Sequence, residues 1–235
     1  MAELALALDP AAARRFLGYG RKGRPSRAVE SRLAALWDEA LALLRPRGAW
    51  RLVEQAVAEE TGMPRPSEKV AAGLCTIGAE LETEAARRAE AGAPLDALIL
   101  DAAGSAATEA AADALNFLIC EEAGKLGRYA APRVSPGYGK WPVAFQAELL
   151  ALLPAAELGV ALTPGLMMVP RKSVSFAVNL LKVAPRGRGC RDRCRRCGLP
   201  NCPYSESSRD WTSQGGWEEG EEGQRKDAPV LPSSL

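Results

Sequence analysis

The sequence of 235 residues contains no histidine. This absence excludes a Ser-His-Asp triad, a Cys-His nucleophile pair and any metal or haem held by histidine. A metal site in this chain would have to use cysteine, carboxylate or backbone oxygen ligands.

The sequence also lacks an excess of one charge and any long apolar run. Thirty basic and 29 acidic residues leave a formal net charge of +1, so nothing predicts a nucleic-acid or acidic-membrane partner. The longest apolar stretches are broken by Asp or Gly, and the first residues lack the basic region of a signal peptide. We therefore expect a cytoplasmic protein with no membrane association.

Apolar patterns typical of helices and of strands follow one another irregularly through residues 1–184. The spacing predicts helices near 10–17, 26–44, 79–92, 104–127 and 142–154, and strands near 49–57, 69–78, 159–170 and 173–183. In the last strand, large apolar residues alternate with small or polar ones, which predicts a half-buried strand. Because helices and strands do not alternate regularly, the order favours an α+β fold over a doubly wound sheet.

The composition changes after Val183. Residues 185–205 are basic and contain four cysteines, whereas residues 206–235 are rich in Gly, Ser and Glu with few aliphatic side chains. The last segment has too little apolar surface to fold alone. We therefore predict a folded domain over 1–184, a metal-binding segment over 185–205 and a disordered tail over 206–235.

The four clustered cysteines, with the spacing C-x3-C-x2-C-x4-C, are Cys190, Cys194, Cys197 and Cys202. In a reducing compartment, clustered cysteines are typical of metal ligands rather than disulfides. So compact a run, followed by proline, is nearer to iron–sulfur ligation than to the paired hairpins of most zinc sites. An iron–sulfur cluster is therefore the first interpretation, zinc the second, and unligated or redox-active thiols the third.

The segment "PRVSPGYGKWP", residues 132–142, combines turn-forming residues with the large side chains of Arg133, Tyr138 and Trp141, which are unfavourable to leave in a turn without a role. Arg133 offers a planar fork for a carboxylate, Gly137 permits close approach of the backbone, and Tyr138 offers an aromatic face to a cation. A ligand that carries both a carboxylate and a cation is an amino-acid zwitterion, and the cation can be a sulfonium. The alternative is a solvent-exposed loop with a buried tyrosine.

Six segments in this order resemble the activation domain of cobalamin-dependent methionine synthase, and especially its stand-alone bacterial relatives with a cysteine-rich tail. They are "FLGYG", "CTIGAELE", "LDAAGSAATEAAADALN", "RVSPGYGKWP", "LGVALTPGLMMVPRKSVS" and "CRRCGLPNCPY". The resemblance implies an α+β fold with a twisted antiparallel sheet and flanking helices. It also implies an S-adenosylmethionine site at the R-x-x-x-G-Y segment, which is Arg133, Gly137 and Tyr138 here.

The activity implied by this resemblance is the reductive reactivation of a cobalamin protein. S-adenosylmethionine would methylate reduced cobalamin carried by a partner, either methionine synthase or another corrinoid protein, with a low-potential electron donor. We expect an iron–sulfur cluster on the four cysteines to pass this electron. The chain departs from the family at residues 139–142 and at Thr163, Pro164 and Gly165. The alternatives are a non-catalytic docking module with a structural metal, and a free-standing redox protein.

Overall fold

The computed structural model describes residues 1–19 and 23–184, which form seven β-strands and six α-helices. The strands are β1 Ala2–Glu3, β2 Arg47–Glu54, β3 Lys69–Thr76, β4 Tyr129–Ala130, β5 Ala161–Leu162, β6 Met168–Val169 and β7 Ser173–Leu181. The helices are α1 Pro10–Phe16, α2 Arg27–Ala42, α3 Gln55–Glu60, α4 Glu80–Glu90, α5 Pro94–Lys125 and α6 Gln146–Ala151. A one-turn 3-10 helix, Val143–Phe145, leads into α6.

Five strands form one antiparallel sheet in the order β1-β2-β3-β7-β4. β3 pairs along its whole length with β2 and β7, so that Gly73 lies between Trp50 and Phe176. β5 and β6 form a separate two-stranded hairpin. The predicted α+β class, an antiparallel sheet with flanking helices, is confirmed.

The long helix α5 covers one face of the sheet, and α1, α2 and α4 pack against it. Its alanines Ala107 and Ala111 are fully buried, which lets helix and sheet approach closely. Gly73 contributes to this approach from the sheet, since a Cβ there would lie only 3.0 Å from the ring of Phe176. The alanine-rich sequence therefore determines the close packing of this layer.

The other face of the sheet is covered by α3 and by residues 141–160, which form a second apolar core. Trp141 is buried in this core and donates its indole N–H to the carbonyl of Thr61 at 2.8 Å. Gln146 donates to the hydroxyl of Ser175 on β7 at 2.9 Å. The prediction that β7 is half-buried is therefore wrong, because its small residues allow a second layer to pack on that face.

Four further element predictions need correction. The strand predicted at 49–57 ends at Glu54, and Gln55–Glu60 form α3 instead. α5 begins at Pro94, ten residues before the predicted start, because its first turns are buried against α2 and α4. The predicted strand at 159–170 is instead the β5–β6 hairpin, since Pro164 and Gly165 form a turn closed by the Thr163 N–H to Met167 carbonyl bond. The predicted helix at 142–154 is regular only from 146 to 151.

α1 and α2 each begin after a residue whose side chain caps the helix. Asp9 accepts the N–H of Ala11 at 2.7 Å, and Ser26 accepts the N–H of Val29 at 3.3 Å. Of the helices within the described ranges, none is both long and apolar enough to cross a membrane.

Candidate functional site

Residues 131–142, here called the Arg133 loop, are fixed to the sheet at their start. Val134 and Ala177 exchange backbone hydrogen bonds of 2.9 and 2.7 Å, which adds a bridge to the edge of β7. The loop then turns through Gly137 and Gly139, whose φ angles of 88° and 60° lie in the left-handed region. Buried Trp141 fixes its far end, so the loop is tied to the domain on both sides.

Arg133 leaves this loop toward α5, and its side chain is only 6% exposed. The guanidinium lies over the ring of Phe176, 5.5 Å from the centroid. It donates to Glu109 at 2.7 Å and to Asp113 at 2.9 Å, two residues one helical turn apart. The Arg133 guanidinium, predicted to hold a carboxylate of a ligand, thus donates hydrogen bonds to two carboxylates of the protein itself.

Tyr138 has a different environment, since it lies at the tip of the turn with 73% of its surface exposed. Its backbone N–H bonds to the carbonyl of Ser135, and its carbonyl accepts the N–H of Trp141. Gly137 beside it is also exposed. Within the Arg133 loop, Arg133 therefore packs against the helix, while Gly137 and Tyr138 face solvent.

Lys172 is a second ion-paired cation that the sequence did not single out. Its side chain is 13% exposed, and its ammonium lies 2.8 Å from Asp101 and 2.7 Å from the hydroxyl of Ser105. Gly104 leaves room for its stem, because a Cβ there would lie 3.3 Å from the lysine Cε. The available signal was the polar residues repeating every four positions within the alanine-rich helix.

These contacts share one row of α5, here called the polar row, which consists of Asp101, Ser105, Glu109 and Asp113. Residues four apart are neighbours on a helix surface, and the row spans about 18 Å of the axis. Lys172 binds one end and Arg133 the other. The cations are buried, while the three acids are 45–48% exposed, so the accessible charge along the row is negative.

Between Lys172 and Arg133, the sheet beside the row consists of half-buried Val174 and buried Cys75, which face each other in register. Burial raises the pKa of the Cys75 thiol to about 12, against an opposing effect of the Arg133 charge. Cys75 is therefore a neutral, apolar part of the site near neutral pH, and no reactive thiolate forms there.

The hairpin β5–β6 places the Thr163–Pro164–Gly165 turn at the surface. Thr163 holds the turn through its hydroxyl, which accepts the N–H of Met167 at 3.1 Å. Met167 is 54% exposed and Val169 is 46% exposed. The turn thus presents apolar rather than acidic side chains to solvent.

Within residues 1–19 and 23–184, no group of three or more cysteine, aspartate or glutamate side chains is placed to hold a metal ion. The predicted metal ligands Cys190, Cys194, Cys197 and Cys202 lie outside the described residues, and so do the predicted segments 185–205 and 206–235.

The fold is similar to that of a solved structure. The crystal structure of the MetH reactivation domain bound to AdoHcy superimposes with a TM-score of 0.52, covering 79% of this chain and 80% of that chain at 16% identity. The chain has the fold of the MetH reactivation domain. No family model and no curated protein matches the sequence. At 16% identity this similarity establishes the fold alone. The polar row and the Arg133 loop are the features of this chain that bear on its function.

Proposed function

We propose that this protein binds S-adenosylmethionine beside the polar row and supports the reductive reactivation of a cobalamin-dependent methionine synthase or related corrinoid protein. The observation that carries the proposal is the shared fold with a reactivation domain whose structure contains AdoHcy, the product that S-adenosylmethionine becomes on losing its methyl group. The R-x-x-x-G-Y segment lies on this fold as the Arg133 loop, next to α5.

The electrostatics of the polar row support a cationic ligand. Asp101, Glu109 and Asp113 are about half exposed, so their carboxylates can attract a sulfonium while remaining hydrated. Tyr138 offers an exposed aromatic face on the same loop as Arg133. In this proposal, Arg133 exchanges one of its two intramolecular partners for the carboxylate of the ligand, and Gly137 lets the ligand approach the backbone.

The chemistry requires a partner protein. Bound S-adenosylmethionine supplies the methyl group, AdoHcy leaves with the sulfur electron pair, and reduced cobalamin on the partner receives the methyl. The residues of this chain bind and orient the methyl donor. One electron must first reach the cobalamin from a low-potential donor.

We further propose that Cys190, Cys194, Cys197 and Cys202 hold a metal centre, with an iron–sulfur cluster favoured over zinc by their compact spacing. Anaerobic purification followed by iron and acid-labile sulfide assays tests this assignment. Stoichiometric zinc without sulfide would leave the cysteines a structural role and remove them from electron transfer.

Calorimetric titration with S-adenosylmethionine tests the binding step directly. We expect binding by the full-length protein, a loss of about ten-fold or more for Arg133→Ala, and a smaller loss for Tyr138→Ala. Tyr129→Ala is the matched control, since Tyr129 is a 50% exposed tyrosine on β4. Circular dichroism of each variant separates lost binding from lost folding.

A second candidate function is a non-catalytic docking module for a corrinoid protein. The observation that favours it is the pairing of Arg133 with Glu109 and Asp113, because these carboxylates already accept hydrogen bonds from both ends of its guanidinium. The docking function would be established if the wild-type protein binds no S-adenosylmethionine but captures a corrinoid protein, which is recognised by its visible spectrum. Return of the methylcobalamin spectrum on the partner would establish the reactivation function.

A further inference from the structure

The polar row does not end at Asp113. Two more residues continue it at the same four-residue spacing, Phe117 and Glu121, and both are exposed. Phe117 is 48% exposed, an unusual aromatic on a helix whose opposite side is fully buried. The segment Glu109, Asp113, Phe117 and Glu121, here called the distal row, therefore presents three carboxylates and one aromatic ring along about 18 Å of helix.

The described chain ends close to this surface. Leu181 on β7 pairs with Tyr129, and Tyr129 follows the last residue of α5, Lys125, by four positions. The chain thus leaves the sheet beside the C-terminal end of α5. The next twelve residues, 185–196, contain six arginines and one aspartate.

The spacing of the last three alternating arginines, Arg191, Arg193 and Arg195, matches the distal row. Arg186 and Arg188, and then Arg191, Arg193 and Arg195, recur every second residue. In an extended chain the members of each set lie on one side about 6.7 Å apart, and the two sets lie on opposite sides because Arg191 follows Arg188 by three positions. Neighbours four apart on a helix lie about 6 Å apart. An extended basic segment can therefore place the guanidinium groups of Arg191, Arg193 and Arg195 against three successive residues of the row, while Arg186 and Arg188 lie on its opposite side.

We propose that residues 185–196 dock in an extended conformation along the distal row, running from Glu121 toward Glu109. Guanidinium groups suit the carboxylates by paired hydrogen bonds and suit Phe117 by stacking on its ring. Twelve residues reach up to about 40 Å, more than the row requires. Docking would bring the four-cysteine segment beside the Arg133 loop. The inference rests on α5 and on the sequence, and it stands without the proposed S-adenosylmethionine site.

Limited trypsin digestion of the full-length protein tests the docking, with cleavage after residues 186–196 followed by mass spectrometry. Rates are normalised to a synthetic peptide of residues 185–205. We expect slow cleavage in about 0.1 M salt and faster cleavage in about 1 M salt, where the screening length falls from about 10 Å to about 3 Å. The variant Phe117→Ser/Glu121→Gln should be cleaved about ten-fold faster than wild type.

The matched control is Leu41→Ser/Asp38→Asn, which changes an exposed apolar residue and an exposed acid on α2. It should leave the cleavage rate unchanged. Equal rates for wild type and the Phe117→Ser/Glu121→Gln variant would overturn the proposal. Protection that rises with protein concentration would assign the distal row to a second copy of the chain and would also overturn it.

Disulfide trapping gives an independent readout, because Cys120 adjoins Glu121 on α5. The protein is fully reduced, stripped of metal with a chelator and reoxidised, and its disulfides are mapped. Docking predicts linkage of Cys120 to the cysteines of residues 190–202, reduced in the Phe117→Ser/Glu121→Gln variant. Maps in which no linked peptide contains Cys120 would contradict docking.

Discussion

Two charged clusters on α5 have opposite arrangements. At its first turn, Asp96 is the buried member, with 9% of its side chain exposed, and it accepts from Arg32 and from Arg88 at 3.0 Å. Along the polar row the cations are buried and the acids are half exposed. A buried acid with two arginines ties helices together, whereas buried cations with exposed acids leave negative charge at the surface.

The cluster at Asp96 joins three helices. Arg32 comes from α2 and Arg88 from α4, and Arg88 also donates to Glu39 at 2.5 Å and to Glu84 at 2.6 Å. The carboxylates of Asp96, Glu39 and Glu84 therefore all accept hydrogen bonds from arginines of the same domain. This difference predicts that the Asp96 cluster contributes mainly to stability and the polar row mainly to binding.

The largest expected effect is that of Asp96→Ala. Because removal of a largely buried carboxylate leaves two arginines without their common partner, we expect the free energy of unfolding to fall by about 3 kcal/mol. Urea denaturation followed by circular dichroism measures it. Asp38→Ala, an exposed acid on α2, is the control and should change stability by less than about 0.5 kcal/mol. If Asp96→Ala lowers the free energy of unfolding no more than the control does, the Asp96 cluster does not contribute mainly to stability.

Acid should weaken the Asp96 cluster. The Arg32 guanidinium holds the pKa of Asp96 below its ordinary value, and hydrogen bonds from Arg87 and then Arg88 lower the pKa of Glu84 to about 2. Since both folded pKa values lie below the unfolded ones, their contribution is complete above about pH 5 and is lost as the pH falls toward 2. Denaturation midpoints measured from pH 7 to 2.5 should fall, and the slope should be smaller in Asp96→Asn. An identical slope in that variant would contradict the assignment.

Lys172→Met should have a smaller effect on stability, about 1 kcal/mol. The methionine keeps most of the apolar stem, and Asp101 is already half exposed, so it stays hydrated when the cation is lost. Urea denaturation again measures the difference. A loss as large as that of Asp96→Ala would show that the polar row is as structural as the first cluster.

The smallest expected effect concerns Cys75. With its pKa raised to about 12 from an ordinary value of 9.0, the thiol forms about a thousand-fold less thiolate than an exposed cysteine. Iodoacetamide labelling at pH 8 should therefore leave Cys75 unmodified in native wild type and in Lys172→Met, and label it in urea. Native labelling in wild type would mean that the sheet beneath the polar row opens.

Much of the fold could be predicted from local patterns. The apolar periodicity of α2 and α5 and the alternation in β7 each act within a few residues, so the sequence shows them directly. The second covering layer could not be predicted from β7. Small residues such as Ser175 and Ala177 are compatible with either solvent or a close-packed neighbour, and only the path of residues 141–160 decides between them.

The candidate site shows the same division. The R-x-x-x-G-Y segment identified Arg133, Gly137 and Tyr138 as binding residues, and this remains a prediction. The pairing of Arg133 with Glu109 and Asp113 joins residues 20 and 24 positions apart. The Lys172 contacts join residues 67 and 71 positions apart. No local pattern specifies such pairs.

By itself the sequence determined most of the helices and strands, the absence of histidine chemistry, and the concentration of cysteine and arginine after residue 184, because each depends on composition or on short-range spacing. Only the tertiary structure decided which charges are buried. Burial depends on where the Arg133 loop and Lys172 meet α5, and that contact forms only when the sheet and the helix pack together. It is this packing that leaves the acids of the polar row, rather than its cations, facing solvent.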